Sequence, residues 1–157
     1  MQTITSPGDL APLVDEHLGY SGFVDVTQER IDLFAEATGD HQWIHVDPVR
    51  AADGPFGGTI AHGYLTLSLG PELLHDVLTW ENIRMGVNYG LDKVRFPSPV
   101  PVGSRIRLGA VLRGAEELGG GGVQVRLELT FEVEGVTKPA CVAELLLRYY
   151  FAEEGPS

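Results

Sequence analysis

The sequence predicts an α+β protein in which a curved antiparallel sheet wraps around a central apolar helix. Apolar spacings of three and four residues mark the first half of the chain, and strict alternation marks the second half. Between them, residues 63–78 are apolar on nearly all sides, which indicates a helix buried inside the domain. Elements separated in this way form a sheet layer packed against a helix layer.

The remaining elements follow from shorter signals. A short helix is expected near residues 9–17, and Gly70-Pro71 should kink or divide the central helix, because proline lacks the N–H that a helix interior needs. In residues 123–133 each apolar side chain alternates with a polar one, which is typical of a half-buried strand. Long strands are expected at 104–113, 123–135 and 141–151.

Capping residues bracket one polar segment. Thr27 stands at a helix N-cap position, and Gly39 stands where a helix ends in a left-handed residue. Asp47 followed by Pro48 is typical of an N-cap and first helical residue. The segment 40–46 is therefore predicted to be a short loop that is fixed at both ends.

Composition and charge argue against several classes of partner and location. The formal net charge of −11 argues against nucleic acid or an anionic membrane surface as the main partner. A single cysteine, Cys141, excludes an internal disulfide, and no apolar run is long enough for a membrane span. We expect a cytoplasmic protein with one domain over residues 1–152 and a disordered acidic tail over residues 153–157.

The polar loop contains the strongest candidates for chemistry. Asp40 and His45 would form a general acid–base pair if the loop curls, although an aspartate after a helix end is also a common turn residue. Asp47 is better explained as a helix cap. His41 and His45 have the spacing of a helical zinc pair, but they lie in a predicted loop and a third ligand is not evident. No metal site is expected.

A second candidate site is the start of the central helix. The backbone N–H of Gly63 lacks an intrahelical partner there and could stabilise an oxyanion; alternatively, Gly63 only permits close packing and His62 caps or packs the helix. Trp43 is expected to form an apolar wall, which could also be a wall of the substrate pocket. Phe56 and Tyr64 are further candidates for lining that pocket.

Residues 34–69 resemble the MaoC-like dehydratases, a hotdog-fold family that includes the (R)-specific enoyl-CoA hydratases, with the NodN-like branch as the nearest likeness. The resemblance rests on a Gly-Asp, a short spacer and a His, then a His-Gly that opens the central helix, and a later strand and turn. In this chain these are Gly39-Asp40, His45, His62-Gly63 and residues 94–104.

The resemblance implies a single hotdog domain, a homodimer and an acyl-CoA thioester substrate. It implies that Asp40 and His45 are the catalytic dyad and that the Gly63 N–H receives the thioester oxygen. Trp43, His62 and Tyr64 are the expected substrate-binding residues. No separate cofactor is implied, because coenzyme A is part of the substrate. One departure is Gln42-Trp43, where many hydratases have Asn-Pro, so the role of that asparagine is not transferred to Gln42.

The phosphates of coenzyme A require cations on an acidic protein. A basic set in the middle of the sequence could supply them, although an ordinary solvated strand face explains the same residues. This set comprises Arg84, Lys93, Arg95, Arg105 and Arg107. Two other functions remain open: a hotdog thioesterase that hydrolyses the acyl thioester, and a non-catalytic acyl-binding subunit of a hetero-oligomer.

Overall fold

The computed structural model describes residues 1–152, so the predicted tail at 153–157 lies outside the described residues. The helices are α1 (Gln28–Thr38), α2 (Trp43–Val46), α3 (Pro48–Ala52), α4 (Gly63–Ser68) and α5 (Gly70–Leu74). The strands are β1 (Gln2–Ile4), β2 (His17–Tyr20), β3 (Val24–Asp25), β4 (Leu78–Trp80), β5 (Ile83–Arg95), β6 (Arg105–Leu118), β7 (Gly122–Val133) and β8 (Cys141–Phe151). None of these helices is long and apolar enough to cross a membrane.

The main sheet is antiparallel, with strand order β2-β6-β7-β8-β5, and β3 also pairs with β6. Register shifts interrupt three of its ladders, and the β5–β8 ladder has three of them. Each such irregularity bends a strand and increases its twist, which gives the sheet its curvature. A short parallel pair, β1 with β4, stands beside it.

The concave face of the sheet packs on α4 and α5. Leu65, Leu69 and Leu73 from the helices share one apolar core with buried strand residues such as Leu129 and Phe131. Gly70 lies at the junction of the two helices, where an added Cβ would touch the Phe131 ring at 3.5 Å. The prediction that Gly70-Pro71 divides the central helix is consistent with this break.

The central helix is not buried on every side. Tyr64 is 70% exposed, and Ser68 and Pro71 on the same side are exposed as well. Apolar side chains along this face therefore remain uncovered in the single chain, next to the equally exposed strand β5.

Three local expectations differ from the structure. Residues 9–17 form no α-helix; two 3₁₀ turns at Pro7–Asp9 and Ala11–Leu13 lead directly into β2, because Pro7 and Pro12 interrupt any longer helix. The segment 40–46 contains one helical turn, α2, and is not entirely loop. Strand β5 was predicted only near its end, in residues 94–104; residues 83–91 do alternate, but their apolar side chains are mostly exposed in the single chain.

The predicted caps are present. The Thr27 side chain accepts a hydrogen bond from the backbone N–H of Arg30, and Gly39 ends α1 with φ of 78°. The Asp47 carboxylate accepts from the N–H of Arg50 at 3.0 Å, directly before Pro48. These caps fix both ends of the segment that carries Asp40 and His45.

We expect Asp47→Ala to lower the free energy of unfolding by about 1 kcal/mol, because the first turn of α3 loses its side-chain acceptor. Urea unfolding of the variant measures this loss. Asp53→Ala is the matched control, since Asp53 stands at the other end of α3 and is exposed. An equal loss of unfolding free energy in both variants would show that the Asp47 side chain does not stabilise α3 as an N-cap.

Candidate active site

The loop brings Asp40 and His45 together. One polar atom each of Asp40, His45 and His62 lies within 4.8 Å of the other two. The curl that the sequence required is produced by α2, which places His45 one turn into a helix and turns it back towards Asp40. Asp40 is exposed, whereas His45 is 6% exposed and His62 is 2% exposed. The cluster thus has one accessible member and two buried ones.

His45 is held by backbone groups on both sides of the site. Its Nδ1–H donates to the carbonyl oxygen of Ile60 at 2.7 Å, so in the neutral imidazole the lone pair lies on Nε2. The backbone of α2 is fixed in turn, because the Gln28 side-chain amide donates to the carbonyl of His45 at 2.8 Å. Gln28 also accepts from the Thr59 hydroxyl at 2.5 Å. It therefore joins α1, α2 and the segment between α3 and α4.

Burial lowers the pKa of His45. Removal of the ring from water is the largest cause, and the neighbouring His62 lowers the pKa further, whereas the Ile60 hydrogen bond and Asp40 raise it. His45 is therefore neutral near pH 7, which leaves its Nε2 free to accept a proton.

His62 lies beneath the dyad. Its ring stacks on that of His45, with centroids 3.9 Å apart and planes inclined by 22°. Its Nε2–H donates to the backbone carbonyl of Asp40 at 2.9 Å. The Nδ1 atom is buried without a hydrogen-bond partner among the described residues.

Gly63 begins α4 next to this cluster. An added Cβ at Gly63 would come within 3.1 Å of the Phe96 ring, so the close approach of that ring requires glycine. Gly63 and His45 line the same cavity of about 280 Å³. Its apolar walls include Phe56, Ile60, Phe96 and Val100. The cavity combines apolar walls with one imidazole and the start of a helix, as small-molecule sites do.

Tyr64 and Trp43, which the sequence analysis expected at the substrate pocket, do not line this cavity. Tyr64 is exposed, with its ring edge-on to Phe96 at 6.1 Å. Trp43 packs against Gly54 and beneath the Arg50 guanidinium, 4.4 Å from its ring centre, and does not line this cavity. Sequence reasoning missed Phe96, whose only signal is a bulky apolar residue directly after a strand.

The cluster of Asp40, His45 and His62 has the donor set of a metal site. However, a metal ion binds an imidazole nitrogen in the plane of the ring. Two rings stacked face to face direct their lone pairs side by side, so both cannot bind one ion unless a ring turns. The expectation that the site needs no metal stays a prediction.

The Cys141 thiol is unsuited to act as a nucleophile, and three members of the basic set are already paired with carboxylates. Burial raises the pKa of the Cys141 thiol to about 11, so it is not a nucleophile near neutral pH. Arg105 pairs with Glu134 and Asp25, Arg107 with Glu132, and Lys93 with Glu144. These three members of the basic set therefore form ion pairs on a strand face. Arg84 and Arg95 have no ion-pair partner within residues 1–152.

Residues 9–133 match the family described as MaoC like domain. The chain is also 58% identical over 149 residues to 3-hydroxyacyl-thioester dehydratase Z of Mycobacterium tuberculosis, an alignment that covers 95% of this chain and 99% of the relative. The chain belongs to the MaoC-like dehydratase family. Within that family it is 47% identical to Nodulation protein N of Rhizobium leguminosarum bv. viciae, over 88% of this chain and 87% of the relative.

Similar solved structures confirm the fold. R-hydratase PhaJ1 from Pseudomonas aeruginosa superposes with a TM-score of 0.68 at 21% identity, over 97% of this chain and 94% of that one. A protein of Archaeoglobus, described as a monoamine oxidase regulatory protein, gives a TM-score of 0.76 at 21% identity, over 98% of each chain. The predicted α+β hotdog fold and the NodN-like resemblance are confirmed.

We expect the lowered pKa of His45 to make stability depend on pH. The unfolded chain binds a proton at this imidazole near pH 6.5, whereas the folded protein resists protonation until the pH is lower. Stability should therefore be highest above pH 6.5 and should fall as the pH drops below it. His45→Gln should remove this component from the pH dependence of the urea midpoint. An identical acid slope in both proteins would contradict it.

Proposed function

We propose that the protein is an (R)-specific enoyl-CoA hydratase, which adds water reversibly to a trans-2-enoyl thioester to give (R)-3-hydroxyacyl-CoA. The observation that carries this proposal is the meeting of Asp40 and His45 beside the cavity where Gly63 begins the central helix. A relative that is 58% identical is named as a 3-hydroxyacyl-thioester dehydratase, which describes the reverse reaction.

The dyad accounts for both proton transfers. The water oxygen forms a bond to C3 while one water proton passes to the dyad, and the C2–C3 π electrons move towards the thioester carbonyl. C2 of that enolate then takes a proton from the dyad. One H and one OH have thus been added across the double bond, and the dyad has regained its original protonation. Because the two groups are close, they share their protons as one unit.

The local environment suits His45 to accept the proton of water. Burial keeps its imidazole neutral, and the Ile60 carbonyl occupies Nδ1, so the remaining lone pair on Nε2 is available. The carboxylate of the exposed Asp40 favours the imidazolium that forms, since an opposite charge nearby stabilises it. An acid–base pair placed in this way contributes about 10²–10⁴ in rate.

Negative charge on the thioester oxygen also needs a partner. The N–H of Gly63 stands in the first turn of α4, where no intrahelical acceptor is available, and Gly63 lines the same cavity as His45. We assign this N–H to the thioester oxygen. One such donor typically contributes about 10²–10³ in turnover.

We propose that Tyr64, whose ring packs edge-on to the cavity residue Phe96, and Trp43 contact the thioester arm outside the cavity. Arg95 precedes Phe96 and has no ion-pair partner within residues 1–152, so it is proposed to bind phosphate. The proton transfers and the oxyanion contact are supplied by the chain itself, so the proposed reaction requires no cofactor beyond the coenzyme A of its substrate.

We expect Asp40→Asn and His45→Ala each to lower the hydration rate by about 10²–10⁴, because each removes one half of the proton-transferring pair. Loss of the enoyl-thioester absorbance of crotonyl-CoA measures the rate. His41→Asn is the matched control, since His41 is exposed in the same loop and lies 3.6 Å from Glu36.

Unchanged hydration in both dyad variants would contradict the assignment of the site. Release of free thiol without hydration would indicate a thioesterase instead. If neither reaction occurs with crotonyl-CoA or longer enoyl-CoAs, the proposed activity is wrong and a non-catalytic acyl-binding subunit is favoured.

We also propose that the protein is a homodimer that joins through β5. Within residues 1–152 this strand pairs only with β8, and exposed apolar side chains run along it: Met85, Val87, Tyr89 and Leu91. An open edge with such a row is prone to pair with another chain. A second copy would also cover the exposed face of α4 beside it.

We expect Val87→Lys to weaken the dimer, because a charge placed on the apolar edge must be desolvated on pairing. Sedimentation at micromolar concentration should show a dimer for the wild type and a smaller species for the variant. Val136→Lys, which changes an exposed valine in the turn between β7 and β8, should sediment like the wild type. A monomeric wild type would contradict the proposal.

A further inference from the structure

We infer that His62 is a positioning residue whose single ring holds both members of the Asp40–His45 dyad. The inference rests on the proposed hydratase function. His62 is 2% exposed and does not line the cavity beside Gly63, so its place in the structure is beneath the reacting groups and not against the substrate.

The first contact holds Asp40. Its carbonyl accepts from the His62 Nε2–H at 2.9 Å. The other hydrogen bonds of Asp40 are longer: its N–H donates to Thr38 Oγ1 at 3.5 Å, and its carboxylate accepts from the Gln42 N–H at 3.3 Å. Asp40 is exposed and follows the left-handed Gly39, so little else fixes where its carboxylate lies. The His62 contact is its firmest anchor.

The second contact holds the ring of His45. The two imidazoles stack with centroids 3.9 Å apart, and a flat partner of this kind fixes the plane of the ring above it. Phe34 of α1 packs against His62, with centroids 4.9 Å apart, so the supporting ring is itself held. The His62 side chain therefore connects α1, Asp40 at the start of the polar loop, and His45.

The same contact has an electrostatic effect. Asp40 and His62 are the two titratable groups that act on His45: His62 disfavours its protonation and Asp40 favours it. Removal of His62 should raise the pKa of His45. The acid limb of the pH–rate profile should then move to higher pH, because the base becomes protonated earlier. Loss of the His62 charge and hydration of the uncovered His45 ring act in the same direction, so the shift reports the contact between the two rings.

Two amide substitutions separate the contacts. The amide of His62→Gln reaches the position of Nε2 and can still donate to the Asp40 carbonyl. The amide of His62→Asn ends near the position of Nδ1 and falls short of that carbonyl. Both variants lose the stacked imidazole. Steady-state hydration of crotonyl-CoA across pH, thermal unfolding, and NMR titration of the His45 imidazole are measured for each, with His41→Asn as the control.

We expect kcat to fall by about 10² in His62→Asn, since a misplacement of about 1 Å at the reacting groups has an effect of that size. His62→Gln should recover about tenfold of that loss through the restored hydrogen bond. KM should change little in both variants, and the acid limb should move to higher pH in both.

Wild-type kcat in His62→Asn would overturn the inference, and so would an unmoved acid limb in both variants. A higher kcat in the Asn variant than in the Gln variant would also overturn it, because the Asp40 contact would then be irrelevant. If the wild type hydrates neither crotonyl-CoA nor longer enoyl-CoAs, the proposed function fails; an unchanged His45 titration in both variants would show separately that His62 does not act on His45.

Discussion

The site depends on the hydrogen bond from the Nδ1–H of His45 to the carbonyl oxygen of Ile60. This bond fixes the tautomer and directs the Nε2 lone pair away from the backbone. A second hydrogen bond joins the same two chain segments: the N–H of Ile60 donates to the carbonyl of Ile44 at 3.0 Å. The next residue, Ala61, donates to the carbonyl of Val100, so the start of the central helix and the segment after β5 are held in the same network.

The curved sheet provides the rigidity that this network needs. Leu65 and Leu69 pack into the core, so the beginning of α4 cannot move without exposing apolar surface. Burial of His45 has two consequences. The ring is held in one orientation, and its charged form is disfavoured, so the packing that stabilises the fold also keeps the imidazole neutral. Fold and proton chemistry are thus coupled at one residue.

Features that depend only on neighbouring residues could be predicted from the sequence. The caps at Thr27, Gly39 and Asp47 and the alternation of β7 depend on neighbouring residues only, and the structure shows each of them. Contacts between distant segments cannot be predicted in this way. The spacing of Asp40 and His45 permits a pair but does not require one, and nothing in the sequence indicates that His62 stacks on His45. Strand β5 alternates as well, from Ile83 to Leu91, but its apolar side chains are mostly exposed in the single chain, so its position at the sheet edge could not be predicted from the sequence.

The measurement that tests the account most directly is chiral analysis of the product formed from crotonyl-CoA by the wild-type protein. His45 and Gly63 line one cavity and Asp40 lies close to His45, so we propose that the attacking water is held on one face of C3. The account predicts (R)-3-hydroxybutyryl-CoA alone. A racemic product would show that the attacking water is not held where Asp40 and His45 meet, and the (S) product would contradict the proposed stereochemistry.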